Sequence, residues 1–185
     1  MVVTDYNVAV EAVKWLLPAL TVIAQAGLAA YFLLLIFYRK GYNYMHSKLS
    51  KWFLPMAFAV ALAATSGSLF YSEIVGWTPC LLCWYQRIMM YPLVVILGIA
   101  SLRRDKRVGV YVLPLAAIGG LIAAFHYAQQ VSSTFAAIST GCAAAGGVEC
   151  TVRYTFSYGY VTIPMMALTG FVTIGLLVLL KKRAK

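Results

Sequence analysis

Charged side chains are scarce: Asp, Glu, Lys and Arg together make up 11% of the 185 residues, whereas a soluble domain carries about a quarter. With 63% hydrophobic residues and a mean hydropathy of +0.84, that deficit excludes a soluble globular protein and points to an integral membrane protein. Acidic residues are the scarcest, 5 against 15 basic, for a formal charge of +10. This excess does not point to nucleic acid, because the basic residues are not spread over a face. Twelve of them fall in three short segments: Arg39, Lys40, Lys48 and Lys51; Arg103, Arg104, Lys106 and Arg107; and Lys181, Lys182, Arg183 and Lys185. No internal repeat or low-complexity tract is present, and the short connections speak for one helical bundle.

Apolar runs long enough to cross a bilayer, roughly 17 to 25 residues, occur at about 15–38, 52–74, 84–102, 108–128 and 159–180. The basic segments follow the first, third and fifth runs. A cytoplasmic excess of Lys and Arg therefore predicts an N-terminus outside and a C-terminus inside. Asp5, Glu11, Glu73 and Glu149 then lie on or near the outer side, and Asp105 among the inner arginines. The first run could also be taken for a cleaved signal peptide, since Lys14 precedes it and Ala24-Gln25-Ala26 resembles a cleavage site. It continues to Tyr38 and ends in Arg39-Lys40, which favours a retained helix.

All four cysteines fall in the two outer loops of this threading, Cys80 and Cys83 in a tight one at 75–83, Cys142 and Cys150 in a longer one at about 129–158. Thiols placed outside the reducing cytosol are free to form disulfides. A disulfide across Cys-x-x-Cys closes so small a ring that it constrains little chain entropy, so a redox role accounts for it better than a staple. Cys83 stands where a helix is expected to begin, and a helix N-terminus favours the thiolate that attacks disulfides. The stretch "GCAAAGGVEC" gives Cys142 and Cys150 a small-residue loop that can reach a soluble partner and return to the first pair.

Arg87 follows Cys83 by four residues and Gln86 by three, so both share its helix face or lie close to it. An arginine at the centre of a span costs about 2.5–3.5 kcal/mol on insertion scales, less near the interface, and marks a site unless it snorkels to the head groups. A thiolate, a cation and an amide at the edge of hydrocarbon suit a lipid-soluble electron acceptor. A quinone is the natural one, its oxygens stabilised by Arg87 as they gain charge. His126, near the outer end of the fourth run, is a candidate for the other carbonyl or for carrying a proton, beside the ordinary alternative of a structural hydrogen bond. Pro92, Pro114 and Pro164 interrupt the backbone ladder, and the small residues of "AAIGGLIAAF" suit close helix packing.

The stretch "PCLLCWYQRIMMYP", with "AAFHYAQQ", "GVECTVRY" and "GYVTIPMMAL", resembles the DsbB family of membrane thiol oxidoreductases, in its Gram-positive, BdbC-like branch. The resemblance covers about 52–180. It implies an all-α DsbB-like four-helix transmembrane bundle at 52–185, preceded at 1–51 by an additional transmembrane helix that the family core lacks. It also implies a thiol:quinone oxidoreductase in a prokaryotic cytoplasmic membrane, with its redox cysteines on the outer face. Cys80 and Cys83 would be the quinone-coupled pair, with Cys83 nearest the ring and Arg87 in contact with it. Cys142 and Cys150 would oxidise an exported DsbA-like (BdbD-like) thioredoxin-fold partner, Cys142 through a mixed disulfide. The acceptor is ubiquinone or menaquinone, which the sequence leaves open. Three other readings stand beside it: the same relay running as a disulfide reductase, a Cys₄ zinc site, and a non-enzymatic packing subunit whose cysteines staple its loops. No metal is expected, because zinc would leave Arg87 and the flexible loop without a purpose.

Overall fold

A computed structural model describes residues 2–37, 50–105, 107–138 and 148–183. Cys142 lies outside the described residues, as do Arg39, Lys40, Lys48, Lys106 and Lys185 of the basic segments. Among the described residues five long helices are present: α1 (Val2–Phe37), α2 (Phe53–Leu69), α3 (Leu81–Arg103), α4 (Gly109–Val131) and, after a four-residue α5 (Ser133–Ala136), α6 (Ile163–Arg183). A short 3₁₀ turn, Ser50–Trp52, leads into α2, and a π-helical turn, Phe70–Ile74, extends it. Between the described residues the extended pairing is confined to one bridge, Ser157 with Val161. The chain is thus an all-α membrane protein with five helices long and apolar enough to span a bilayer. The apolar runs read from the sequence correspond to them, although α1 begins well before residue 15, because helical geometry continues through the more polar first turns where hydropathy is low.

The helices of residues 50–183 meet along stripes of buried residues at three- and four-residue spacing. On α3 the buried stripe runs Leu82, Gln86, Met90, Leu93, Leu97, Ala100; on α4 it runs Val112, Ala116, Gly119, Ala123, His126, Gln130. That spacing keeps one stripe of each helix turned to its neighbours. α6 is the central helix, with 44% of its most apolar window buried, and α1 is the peripheral one at 6%. Phe171 of α6, which is 1% exposed, lies on Gly119 of α4 and fills the space that a Cβ there would take. This is the close approach that "AAIGGLIAAF" predicts, since small residues let helix backbones meet where lipid gives no hydrophobic incentive.

The turn from α3 to α4 takes few residues. Arg104 adopts a left-handed conformation at φ 53°, and the Asp105 carboxylate accepts from the Arg107 backbone N–H at 2.7 Å. At the same end Lys181 reaches the carbonyl of Ser50. The opposite end carries Cys80, Cys83 and Cys150 and a stack of three rings. Trp77 lies between Tyr71 and Tyr154, with centroid separations of 4.9 and 5.1 Å and interplanar angles of 14°. The Tyr154 hydroxyl donates to the Thr78 carbonyl at 3.0 Å, tying the second loop to the first.

Gly119→Val is expected to destabilise the bundle by about 1–3 kcal/mol, since overpacking against Phe171 outweighs the helix propensity that glycine lacks. Thermal unfolding in detergent measures it, and an unchanged midpoint would show that Phe171 can move aside.

Candidate functional site

Pro79 holds Thr78 away from helical conformation, so the chain reaches α3 extended and the helix starts only after Cys80. Cys80 is its N-cap, at φ −72° and ψ 172°, and its Sγ accepts the backbone N–H of Cys83 at 3.4 Å. The free N–H that a helix start offers therefore goes to Cys80, not to Cys83 as the sequence led one to expect. The reason is the start of the helix: it lies three residues earlier than residue 84, where the apolar run begins. Both cysteines are free thiols with sulfurs 3.1 Å apart, well beyond the ~2.05 Å of a disulfide bond. The hydrogen bond from the Cys83 thiol, helped by His126 and opposed by burial, holds the Cys80 thiol well below its ordinary pKa.

His126 is 2% exposed and sits on the far side of Cys80. The Gln86 amide Nε2 donates to the Leu82 carbonyl at 3.1 Å and to His126 Nδ1 at 2.9 Å. With Nδ1 an acceptor, the ring proton is on Nε2. It points to the Cys150 carbonyl at 3.0 Å and lies 3.6 Å from Cys80 Sγ. Cys150 is disulfide-bonded and forms one buried cluster with Cys80 and Leu82. One member of the loop pair is thus packed beside the Cys-x-x-Cys pair.

Neighbouring polar groups on α4 hold the loop there. Gln130 Nε2 donates to the Val152 carbonyl at 3.0 Å, Arg153 donates to the carbonyl of Gln130, and Gln129 Nε2 reaches the carbonyls of Phe135 and Ile138. These glutamines escape a search for catalytic residues. Their signal is the spacing 126, 129, 130, which puts three polar side chains on one face of an otherwise apolar helix.

On the other side of the dithiol a cavity of about 380 Å³ opens between α1, α2, α3 and α6. Cys83, Gln86 and Arg87 line it; His126 instead borders a small pocket with Cys80, Cys83 and Gln130. Of the three residues expected around an acceptor, Arg87 and Gln86 meet at the cavity, and His126 is turned to the thiols and the loop. Arg87 is tied to α2 and to its own helix. Its Nε donates to Ser68 Oγ and its Nη2 to the Ser68 carbonyl, both at 3.0 Å, while its guanidinium lies 5.2 Å from the centre of the Trp84 ring. Ser68 is a second residue missed in the sequence. The polar run Thr65-Ser66-Gly67-Ser68 inside an apolar span was the trace of it.

A Cys₄ metal site is not what these residues form, since the sulfur of Cys150 is committed to a disulfide. The metal-binding groups that do converge are Cys80, Cys83 and His126, within 4.8 Å of one another. Both imidazole nitrogens already have hydrogen-bond partners.

A bundle of membrane-spanning helices with a buried dithiol at its end defines the class, and comparison with known proteins places the chain within it. Residues 50–180 match the family described as disulfide bond formation protein DsbB. The chain is 47% identical over 133 residues to the disulfide bond formation protein C of Bacillus subtilis (strain 168), covering 72% of this chain and 94% of the relative. It is also 47% identical over 127 residues to the probable disulfide formation protein C 1 of Bacillus cereus (strain ATCC 10987 / NRS 248), covering 69% and 89%. A probable disulfide formation protein of Oceanobacillus iheyensis is 42% identical over 127 residues, covering 69% and 86%. No solved structure matches. The chain belongs to the DsbB family.

The depressed Cys80 pKa has a testable sign. A group whose folded value is lowered is stabilised above the unfolded thiol value, about 8.5, and loses that stabilisation as pH falls through the folded value. In the reduced Cys142→Ser/Cys150→Ser protein, thiolate absorbance near 240 nm is expected to persist at neutral pH and fade toward acid. Cys83→Ala is expected to move that titration upward. Titration of the parent only in the ordinary thiol range would contradict the assignment.

Proposed function

We propose that the chain reoxidises an exported thioredoxin-fold dithiol protein and passes the electrons through its two cysteine pairs to a membrane quinone, ubiquinone or menaquinone. The observation that carries this reading is the position of the dithiol, with Cys150 and His126 on one side and a cavity lined by Arg87 on the other. The partner dithiol becomes a disulfide by exchange with Cys142–Cys150, whose electrons then pass by a second exchange to Cys80–Cys83. The Nε2–H of His126 is placed to hold the Cys150 backbone during that exchange, and its closeness to Cys80 Sγ suits it to steady the thiolate.

The cavity fits a quinone: apolar over most of its lining, it gathers a thiol, an amide and a guanidinium on one helix. A quinone supplies the capacity to take up two electrons and two protons. Arg87, fixed by Ser68 and Trp84, offers its remaining N–H groups to an oxygen that gains charge, without reorganising as it does so. Gln86 joins the cavity to His126 by a single hydrogen bond. The same parts serve electron flow in either direction, and membership of a disulfide bond formation family favours oxidation. The threading inferred from the basic segments puts the thiol end outside the cytoplasmic membrane, where such a partner would be met.

Anaerobic mixing of the reduced protein with one equivalent of decylubiquinone is expected to consume quinone as thiols disappear in pairs, and Cys83→Ala is expected to abolish both. Quinone surviving beside four intact thiols would sink the relay. Arg87→Ala is expected to raise the KM for quinone about 10- to 100-fold, the size of one or two lost charge-assisted hydrogen bonds, while leaving thiol exchange with the partner intact. Unchanged quinone kinetics would remove Arg87 from the site.

A further inference from the structure

The first helix lies outside the region matched by the family, which begins at residue 50, yet it is not a loose anchor. Val10, Pro18 and Thr21 are buried and Lys14, Leu17, Ala24, Gln25 and Leu28 half-buried, while Trp15, Ile23, Phe32 and Ile36 face outward. The spacing of the first group is one stripe of a helix, and four contacts fix it. Leu17 covers Gly67 of α2 so closely that a Cβ there would lie 2.8 Å from its Cδ1. Gln25 donates to Thr169 Oγ1 at 2.9 Å and accepts from the Tyr160 hydroxyl at 2.6 Å. Lys14 stands 5.9 Å over the Trp77 ring, the middle member of the three-ring stack.

Part of this stripe, with Leu20 at its exposed edge, forms one wall of the cavity, through Leu17, Leu20, Thr21 and Ala24. That wall meets its contents with carbon: the Thr21 hydroxyl donates to the Leu17 carbonyl at 2.9 Å. The cavity is therefore two-sided. The thiol, the amide and the guanidinium stand on α3, and across from them α1 offers isobutyl and methyl groups.

A membrane quinone is two-sided in the same way, a ring with two hydrogen-bonding oxygens joined to an apolar isoprenoid chain. We propose that α1 is the tail-side wall of the quinone site, with Leu17, Leu20 and Ala24 contacting the chain of a quinone whose ring lies against Cys83 and Arg87. The proposal rests on the quinone reading above. It gives the helix added before residue 50 a task in substrate selection, and it makes Leu17, Leu20 and Ala24 specificity-determining residues.

The test compares two quinones that share one ring: decylubiquinone and its counterpart without the alkyl chain. Each is mixed anaerobically with the pre-reduced full-length protein, and half-saturation and limiting rate are read from quinone absorbance. Leu17→Ala/Leu20→Ala is expected to raise half-saturation about tenfold for the tailed quinone, the size of a lost leucine contact, and to leave it unchanged for the tailless one. Ala24→Trp, which keeps the Leu17–Gly67 contact and fills the wall, is expected to show the same selective loss, and it decides the matter if the double variant does not fold. An equal effect on both quinones, or none on either, would overturn the role of α1 while leaving the quinone reading in place. Failure of the unaltered protein to reduce either quinone would overturn that reading, and this proposal with it.

Discussion

A single buried imidazole joins the two halves of the thiol site. His126 takes a hydrogen bond from Gln86 on α3 and gives one to the Cys150 carbonyl in the following loop. Within hydrocarbon an unmet polar group costs several kcal/mol, so the amide, the ring and the carbonyl are held to one another. That chain fixes the ring tautomer, sets Nε2 beside Cys80 and keeps Cys150 against the dithiol. Gln130, Arg153 and Tyr154 hold the same loop, and His126 is the side chain that meets the backbone of the cysteine itself.

The dithiol so placed faces two environments. Toward the loop lie the buried side chains of His126 and Gln130; on the other side lies a cavity, apolar over most of its lining, into which α3 brings Cys83, Gln86 and Arg87. Arg87 illustrates how such a bundle carries a permanent charge: Ser68 provides both a hydroxyl and a backbone carbonyl, and Trp84 a ring face, so the guanidinium is held in place of the water it lost. The π-helical turn that carries Tyr71 lies next to this arrangement, and the Tyr71–Trp77–Tyr154 stack covers the cavity at the thiol end. Lys14 against Trp77 extends the cover to α1.

How much of this could be read in advance depended on whether the signal is local. Five spans followed from hydropathy, since a bilayer requires long uninterrupted apolar runs whatever the tertiary arrangement. The Cys-x-x-Cys pair, Arg87 one turn on and Gln86 beside it were also legible, because helix geometry fixes what shares a face at three- and four-residue spacing. Ser68, the partner of Arg87, was not, because it is separated by 19 residues and a turn. The orientation of His126 toward the thiols likewise depends on a rotation of α4 that no local pattern specifies.

The sequence by itself determined that this is a five-helix membrane protein, which cysteines could act as pairs, and that a cation stands one turn below Cys83; each of these is fixed by lipid solubility or by the helical repeat. The tertiary structure alone decided that Cys80 and not Cys83 receives the helix N–H, that Cys150 is seated beside the dithiol through His126, and that α1 closes the cavity. These depend on where a helix begins and on which faces of distant helices meet, and packing between residues far apart in the chain settles both.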